Sequence, residues 1–125
     1  ARVTGVCVRR STDKQRPRIA ARCEEIALLL GIANPVSSDD ICLTDVFLAP
    51  GYGELNESTL RAIEMAAQLE ALITDPVYTG KTMAEFIERA KESAGKERSM
   101  IFLHTGGTPA IFAYGGALGA AFERH

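Results

Sequence analysis

The sequence predicts an α/β fold in which an open sheet of parallel strands is flanked by helices. Three observations predict it. Short apolar runs rich in strand-forming residues begin at Arg2, Ile41 and Met100. Between them lie longer stretches whose apolar residues recur at helical spacing. The resulting order is strand, helix, strand, helix, helix, strand, helix, which suits a parallel sheet joined by crossover helices.

Arg2 to Val8 contains Val3, Thr4, Val6 and Val8, with Gly5 its one weak point, and reads as a buried strand closed by Arg9 and Arg10. Ser11, Thr12 and Asp13 are N-cap candidates for a helix that carries Ile19, Cys23, Ile26, Ala27, Leu29 and Leu30 and stops at Gly31. Pro17 belongs in its first turn or splits off a short lead-in helix. After a polar break at Asn34-Pro35 and Ser37 to Asp40, Ile41 to Leu48 forms a second strand that runs into Pro50-Gly51-Tyr52-Gly53. Glycine on both sides of Tyr52 lets the backbone turn sharply and leaves the ring standing out of the loop.

The next helix starts at Asn56 or Ser58, and Leu60, Ile63, Ala66, Ala67 and Leu69 mark its apolar face on the way to Leu72. Pro76 bars Asp75 from the helical region, so the chain must extend through Thr74 to Gly80 before a helix restarts at Lys81 and runs to Glu92. Met83, Ala84, Phe86, Ile87 and Ala90 form its inner face. Ala94 to Arg98 is a surface link to a third strand, Met100 to Leu103, which opens into His104-Thr105-Gly106-Gly107. Pro109 suits the first turn of a last helix, Ala110 to about Phe122, and glycines at 115, 116 and 119 predict that it packs closely on a neighbour.

A chain of 125 residues supports one domain with one core. Its net charge of −2 gives no electrostatic case for nucleic acid or an anionic membrane as a partner. The longest apolar runs, such as Ile26 to Leu30, are too short to cross a bilayer, and a cytoplasmic protein is expected. Cys7, Cys23 and Cys42 have neither disulfide nor metal-ligand spacing and read as buried thiols; with only two histidines, no metal site is expected. Asp39-Asp40 precedes its strand, which argues against a phosphoacceptor pair. Three strands make a thin sheet, and the chain starts at Ala1 without a methionine, so it is expected to be part of a longer protein with an exposed apolar edge.

Two turns concentrate the chemistry. The glycine turn after the third strand opens a helix, where backbone N–H groups can receive an anion or a ring nitrogen, or can simply make a tight turn. Tyr52 and Tyr78 sit on loops close to glycine, the usual setting of ligand-facing tyrosines. Asp75 is read as a brace of its own turn and Lys81 as a solvated lysine at a helix start. From these residues alone, an enzyme and a non-catalytic α/β domain that binds a phosphorylated small molecule both remain open.

Thr74-Asp-Pro-Val-Tyr-Thr-Gly-Lys-Thr-Met-Ala84, together with Pro50-Gly-Tyr-Gly53, Phe102-Leu-His-Thr-Gly-Gly-Thr-Pro-Ala110 and Phe112-Ala-Tyr114, resembles a known family. The chain is similar, nearly end to end, to the C-terminal part of the pyridoxal-phosphate enzymes that include D-cysteine desulfhydrase and 1-aminocyclopropane-1-carboxylate (ACC) deaminase, of the tryptophan-synthase-β-like fold. The resemblance implies that residues 1–125 are the C-terminal part of the large cofactor-binding domain. It also implies an amino-acid substrate, a homodimer and pyridoxal phosphate held mainly by the N-terminal part, where the family keeps its cofactor lysine and phosphate loop.

By the same resemblance Tyr78 is the tyrosine facing the substrate, and Tyr52 a second one near the substrate's amine and carboxylate. Thr105 would lie by the pyridine nitrogen, Gly106 and Gly107 would give the ring room, and Thr79 would stand where ACC deaminases carry a glutamate. A carboxylate there keeps the ring nitrogen protonated, whereas a threonine leaves a weaker electron sink. Ring opening needs the stronger sink, so the resemblance implies β-elimination of a sulfur group, giving pyruvate and ammonia, with ACC deamination as the alternative. Tyr78 would act as acid/base or hydrogen-bond partner, its pKa lowered by the cofactor's field.

Overall fold

In the computed structural model, residues 2–95 and 99–123 are described. Two short strands, β1 (Thr4–Val6) and β2 (Cys42–Thr44), pair in parallel with Thr4 opposite Cys42 and Val6 opposite Thr44. Gly5 sits where a Cβ would come within 2.9 Å of Leu43, so the weak point of the strand is a close approach to its neighbour. The helices are α1 (Thr12–Leu30), α2 (Glu57–Glu70), α3 (Thr79–Glu92) and α4 (Gly115–Phe122), with 3-10 turns at Ser38–Asp40 and Thr108–Tyr114.

The expected parallel α/β arrangement is present, with shorter strands and one fewer than the sequence predicts. Met100 to Leu103 has no sheet partner among the described residues. Phe102 is turned onto Phe86 at 5.9 Å between ring centroids, while Ile101 and Leu103 face out. That in-and-out pattern is a strand's, without a neighbouring strand for its backbone to join. The surface link predicted from Ala94 to Arg98 lies partly outside the described residues, at 96–98.

Helix α1 runs unbroken through Pro17, which is neither in its first turn nor at a split; the exposed proline costs the helix one backbone bond without dividing it. Its first N–H, that of Thr12, is met by Asp45 Oδ2 at 2.8 Å from just beyond β2. It ends in a left-handed Gly31, whose N–H donates to Leu28 O while the N–H of Ile32 donates to Ala27 O. Of its predicted apolar face only Ala27 is buried, whereas Ile26, Leu29 and Leu30 lie open. Asn56 caps α2, accepting from Thr59 N–H at 2.7 Å.

Helices α2 and α3 pack together around Phe47, Ala62, Ala66, Met83 and Ala84, with Leu72, Phe86, Ile87 and Phe102 closing the core. Of the thiols only Cys7 is buried; Cys23 and Cys42 are half-buried, and all three are free. Burial first, and then the charge of Asp45, pushes the Cys7 thiol up. The last helical stretch begins as a 3-10 turn over Thr108–Tyr114 and becomes α-helical only at Gly115. A Cβ at Gly115, Gly116 or Gly119 would meet nothing within 4 Å, so these glycines do not serve the close packing that the sequence predicts. No helix among the described residues is long and apolar enough to cross a membrane.

Candidate active site

The corner between α2 and α3 is built on Asp75, which is wholly buried. Its carboxylate accepts from the N–H groups of Val77, Tyr78 and Thr79, each at 2.8 Å, and from the Thr79 hydroxyl at 2.6 Å. The Thr79 hydroxyl in turn accepts from Asp75 N–H at 2.8 Å. Burial alone would raise the Asp75 pKa; the bonds from Thr79, Tyr78 and Val77 outweigh it and hold the carboxyl below its ordinary range. A carboxylate at the start of α3 also meets the positive end of the helix dipole. The brace expected of Asp75 is therefore present. Thr79 is turned inward, with its hydroxyl used as donor and acceptor inside the corner rather than presented to the outside.

The corner reaches the glycine turn through the same carboxylate. A Cβ on Gly107 would stand 2.6 Å from Asp75 Oδ1, and Gly107 holds φ at 89°, so only glycine lets the turn sit there. His104 adds a second tie: its Nδ1 accepts from Gly106 N–H at 3.1 Å, which leaves Nε2 protonated to donate to the Ile73 carbonyl at 2.9 Å. Gly106, with φ at 98°, faces open space, and Thr105 beside it is exposed.

The loop that carries Tyr52 has few backbone bonds of its own, and side chains satisfy its carbonyls instead. Asn56 Nδ2 donates to Phe47 O at 3.1 Å and to Ala49 O at 2.6 Å. Tyr114 donates its hydroxyl to Gly53 O. Lys81 donates to Leu48 O and Gly51 O, both at 2.9 Å. Lys81 is thus not the solvated lysine that its place at a helix start predicts: it is 0% exposed. Burial lowers its pKa, against the opposing charge of Glu54. The signal for this was not local, because the acceptors lie 30 and 33 residues away.

These two anchored loops bring the tyrosines together. The hydroxyls of Tyr52 and Tyr78 share a hydrogen bond, their rings meeting edge to face at 6.0 Å. Both remain open to solvent, 46% and 42% exposed, so a ligand can reach the pair. The bond from Tyr52 is the first cause that raises the Tyr78 pKa, followed by burial and the charges of Tyr52 and Asp75, with Arg9 opposing. In the protein by itself the shift is upward, the reverse of the lowering expected from a cofactor's field. Arg9, which the sequence reading left as the end of a strand, lies over the Tyr52 ring with its guanidinium carbon 5.4 Å from the centroid. It opens into a cleft of about 600 Å³ shared with Arg10, Ser11, Lys14 and Arg18. Among the described residues no cluster of histidine, cysteine or carboxylate groups could hold a metal.

Tyr52, Tyr78, Thr79 and Gly107 therefore belong to one connected assembly, with Thr105 and Gly106 on its open rim. No protein-family profile matches the chain. Individual relatives do. D-cysteine desulfhydrases of Yersinia pestis and Klebsiella pneumoniae are each 42% identical over 115 residues, which is 91% of this chain and 34% of theirs. That of Yersinia enterocolitica is 41% identical over 111 residues. A crystal structure of an ACC deaminase homologue superposes with a TM-score of 0.80 at 29% identity, over 94% of this chain and 34% of that one.

The chain is homologous, over nearly its whole length, to the C-terminal part of D-cysteine desulfhydrases, and its structural neighbour is an ACC deaminase homologue. It spans about a third of the length of the relatives it matches. The two-stranded parallel sheet and its flanking helices match an α/β portion of that structural neighbour.

Proposed function

We propose that the chain is the C-terminal part of a pyridoxal-phosphate-dependent enzyme that eliminates a β-sulfur group from an amino acid, consuming water and giving pyruvate, ammonia and the sulfur product. The observation that carries this reading is the Tyr52–Tyr78 hydroxyl pair, held by two anchored loops and open to solvent, together with an open glycine rim. The names of the sequence relatives supply the reaction.

The residues present fit one side of a flat ring. Nothing stands within 4 Å of where a Gly106 Cβ would be, and Thr105 is exposed next to it. Thr105, Gly106 and Gly107 are assigned to the cofactor, with Thr105 at its ring nitrogen; Thr79 serves it indirectly, by holding Asp75 and through it Gly107. When bound, pyridoxal phosphate supplies the electron sink that weakens bonds at the amino acid's α-carbon. The Tyr78 hydroxyl, a phenol protonated at neutral pH, is the group assigned to donate to the departing sulfur, while Tyr52 shares its hydrogen bond. The lysine that holds the cofactor and its phosphate loop are assigned to the N-terminal part of the enzyme, since Lys81 is committed to two carbonyls. A cytoplasmic homodimer completes the reading.

ACC deamination is the second reading, favoured by the structural neighbour. Thr79 supports elimination over it, because no carboxylate follows Tyr78. Release of keto acid from D-cysteine, L-cysteate and ACC by the complete enzyme decides between them. We expect turnover of the sulfur substrates; turnover of ACC alone would reverse the assignment. Tyr78→Phe should lower kcat by about 10²- to 10⁴-fold with cofactor absorbance unchanged. Loss of that absorbance would make Tyr78 a structural residue.

A further inference from the structure

We infer that Lys81 is a positioning residue of the active site, whose buried ammonium fixes the Pro50–Gly53 loop to the start of α3 and thereby sets the Tyr52–Tyr78 hydroxyl pair. This rests on the reading of the two tyrosines as the groups that face substrate. A lysine taken wholly out of water loses its hydration and needs a compensating partner. Among the described residues Lys81 has no ion-pair partner within contact distance, and its compensation is the two carbonyl dipoles of Leu48 and Gly51, helped by the charge of Glu54.

Those carbonyls bracket Ala49-Pro50, and Tyr52 follows Gly51 directly. On α3, Lys81 lies three residues after Tyr78, one turn along the same side of the helix. One side chain therefore links the helix start that orients one tyrosine to the loop that carries the other. Asn56 and Tyr114 hold the flanks of that loop, at Phe47, Ala49 and Gly53, and Lys81 holds its middle. A hydrogen bond between two phenols tolerates only a few tenths of an ångström of displacement. A shift of Gly51 would break it before it unfolded the loop.

The test uses the complete enzyme carrying 3-fluorotyrosine at position 78, with Lys81→Met, Lys81→Arg and Tyr52→Phe. We expect Lys81→Met to lower kcat by about tenfold or more while KM stays within about threefold and cofactor absorbance is retained. The fluorine signal of Tyr78, whose ionisation is raised by the bond from Tyr52, should titrate lower, as should that in Tyr52→Phe. Combined with Tyr52→Phe, Lys81→Met should add no further loss in kcat. A folded Lys81→Met enzyme with wild-type kcat and Tyr78 titration, or losses that simply add, would overturn the inference. If Lys81→Met does not fold, Lys81→Arg decides by the same criteria. Failure of both to fold while Tyr52→Phe folds would assign Lys81 to the core and also overturn it. If the wild-type enzyme releases no keto acid from any of the three substrates, the functional reading fails, and the fluorine titration alone then decides whether Lys81 sets the pair.

Discussion

Asp75 shows how much a single buried carboxylate can organise. It accepts three backbone N–H groups and one hydroxyl, and it fills the space that a side chain at Gly107 would need. Hydrogen bonds to a charged group contribute about 1.5–3 kcal/mol each where they cannot be replaced. Asp75→Asn keeps the size but leaves one oxygen to receive four donors, and we expect it to lower stability by about 2 kcal/mol or more, measured by urea denaturation of the complete enzyme. The pH dependence has a definite sign. The folded pKa lies below the unfolded value of about 3.9, so the stabilisation is complete above that value and is lost as pH falls through the folded one. As pH falls below about 3.9, the gap in unfolding midpoint between wild type and Asp75→Asn should therefore narrow; a constant gap would mean that the carboxylate's charge is not what stabilises the corner. The brace was legible in the sequence because Asx turns are local. The buried state of Lys81 was not, since a lysine at a helix start is ordinarily solvated and only tertiary contacts 30 and 33 residues away remove it from water.

At the scale of elements, the legible part was the position of helices and turns, and the illegible part was how strands find partners. Asn56 capped α2 and Gly31 ended α1, both at residues whose side chains or φ angles act within a few positions. Met100 to Leu103 has the composition of a strand, but a strand needs a neighbouring backbone, which no local pattern reports. The same distinction separates the two glycines of the site turn. Both hold positive φ, which costs an alanine about 1–2 kcal/mol. At Gly107 the added Cβ also meets Asp75 Oδ1 at 2.6 Å, whereas at Gly106 it meets open space. Gly107→Ala should therefore lower the unfolding midpoint of the complete enzyme clearly more than Gly106→Ala. Gly106→Ala should instead weaken pyridoxal phosphate binding, because its methyl would point to the rim assigned to the ring. Equal loss of stability in the two variants would show that Asp75 moves to make room and that the turn and the corner are not rigidly joined.

The whole molecule is organised asymmetrically: α2 and α3 enclose a core, while α1 lies almost uncovered. Leu28 and Leu29 are 83% and 85% exposed, and Ile26, Leu30 and Ile32 are open beside them in the sequence. Val3, Ile101, Leu103 and Phe112 are exposed elsewhere on the chain. So many large apolar side chains open on one helix mark a face that another surface covers. We propose that the rest of the enzyme is the occupant, since this chain spans 34% of the length of the relatives it matches. The helical periodicity of α1 was visible in the sequence, but its direction was not: Ile26, Leu29 and Leu30 recur at helical spacing and yet lie open. An apolar stripe states that a face is buried, not by what. Paired substitutions separate the alternatives by giving opposite signs. Leu28→Asp with Leu29→Asp should raise the solubility of residues 1–125 expressed alone and reduce its binding of a hydrophobic dye, because the charges replace exposed leucine. In the complete enzyme the same pair should lower the yield of folded protein and the unfolding midpoint, because each carboxylate would be driven into an apolar interface at a cost of several kcal/mol. Improved or unchanged behaviour in both contexts would show that α1 faces solvent in the complete enzyme as well, and that its leucines are surface residues.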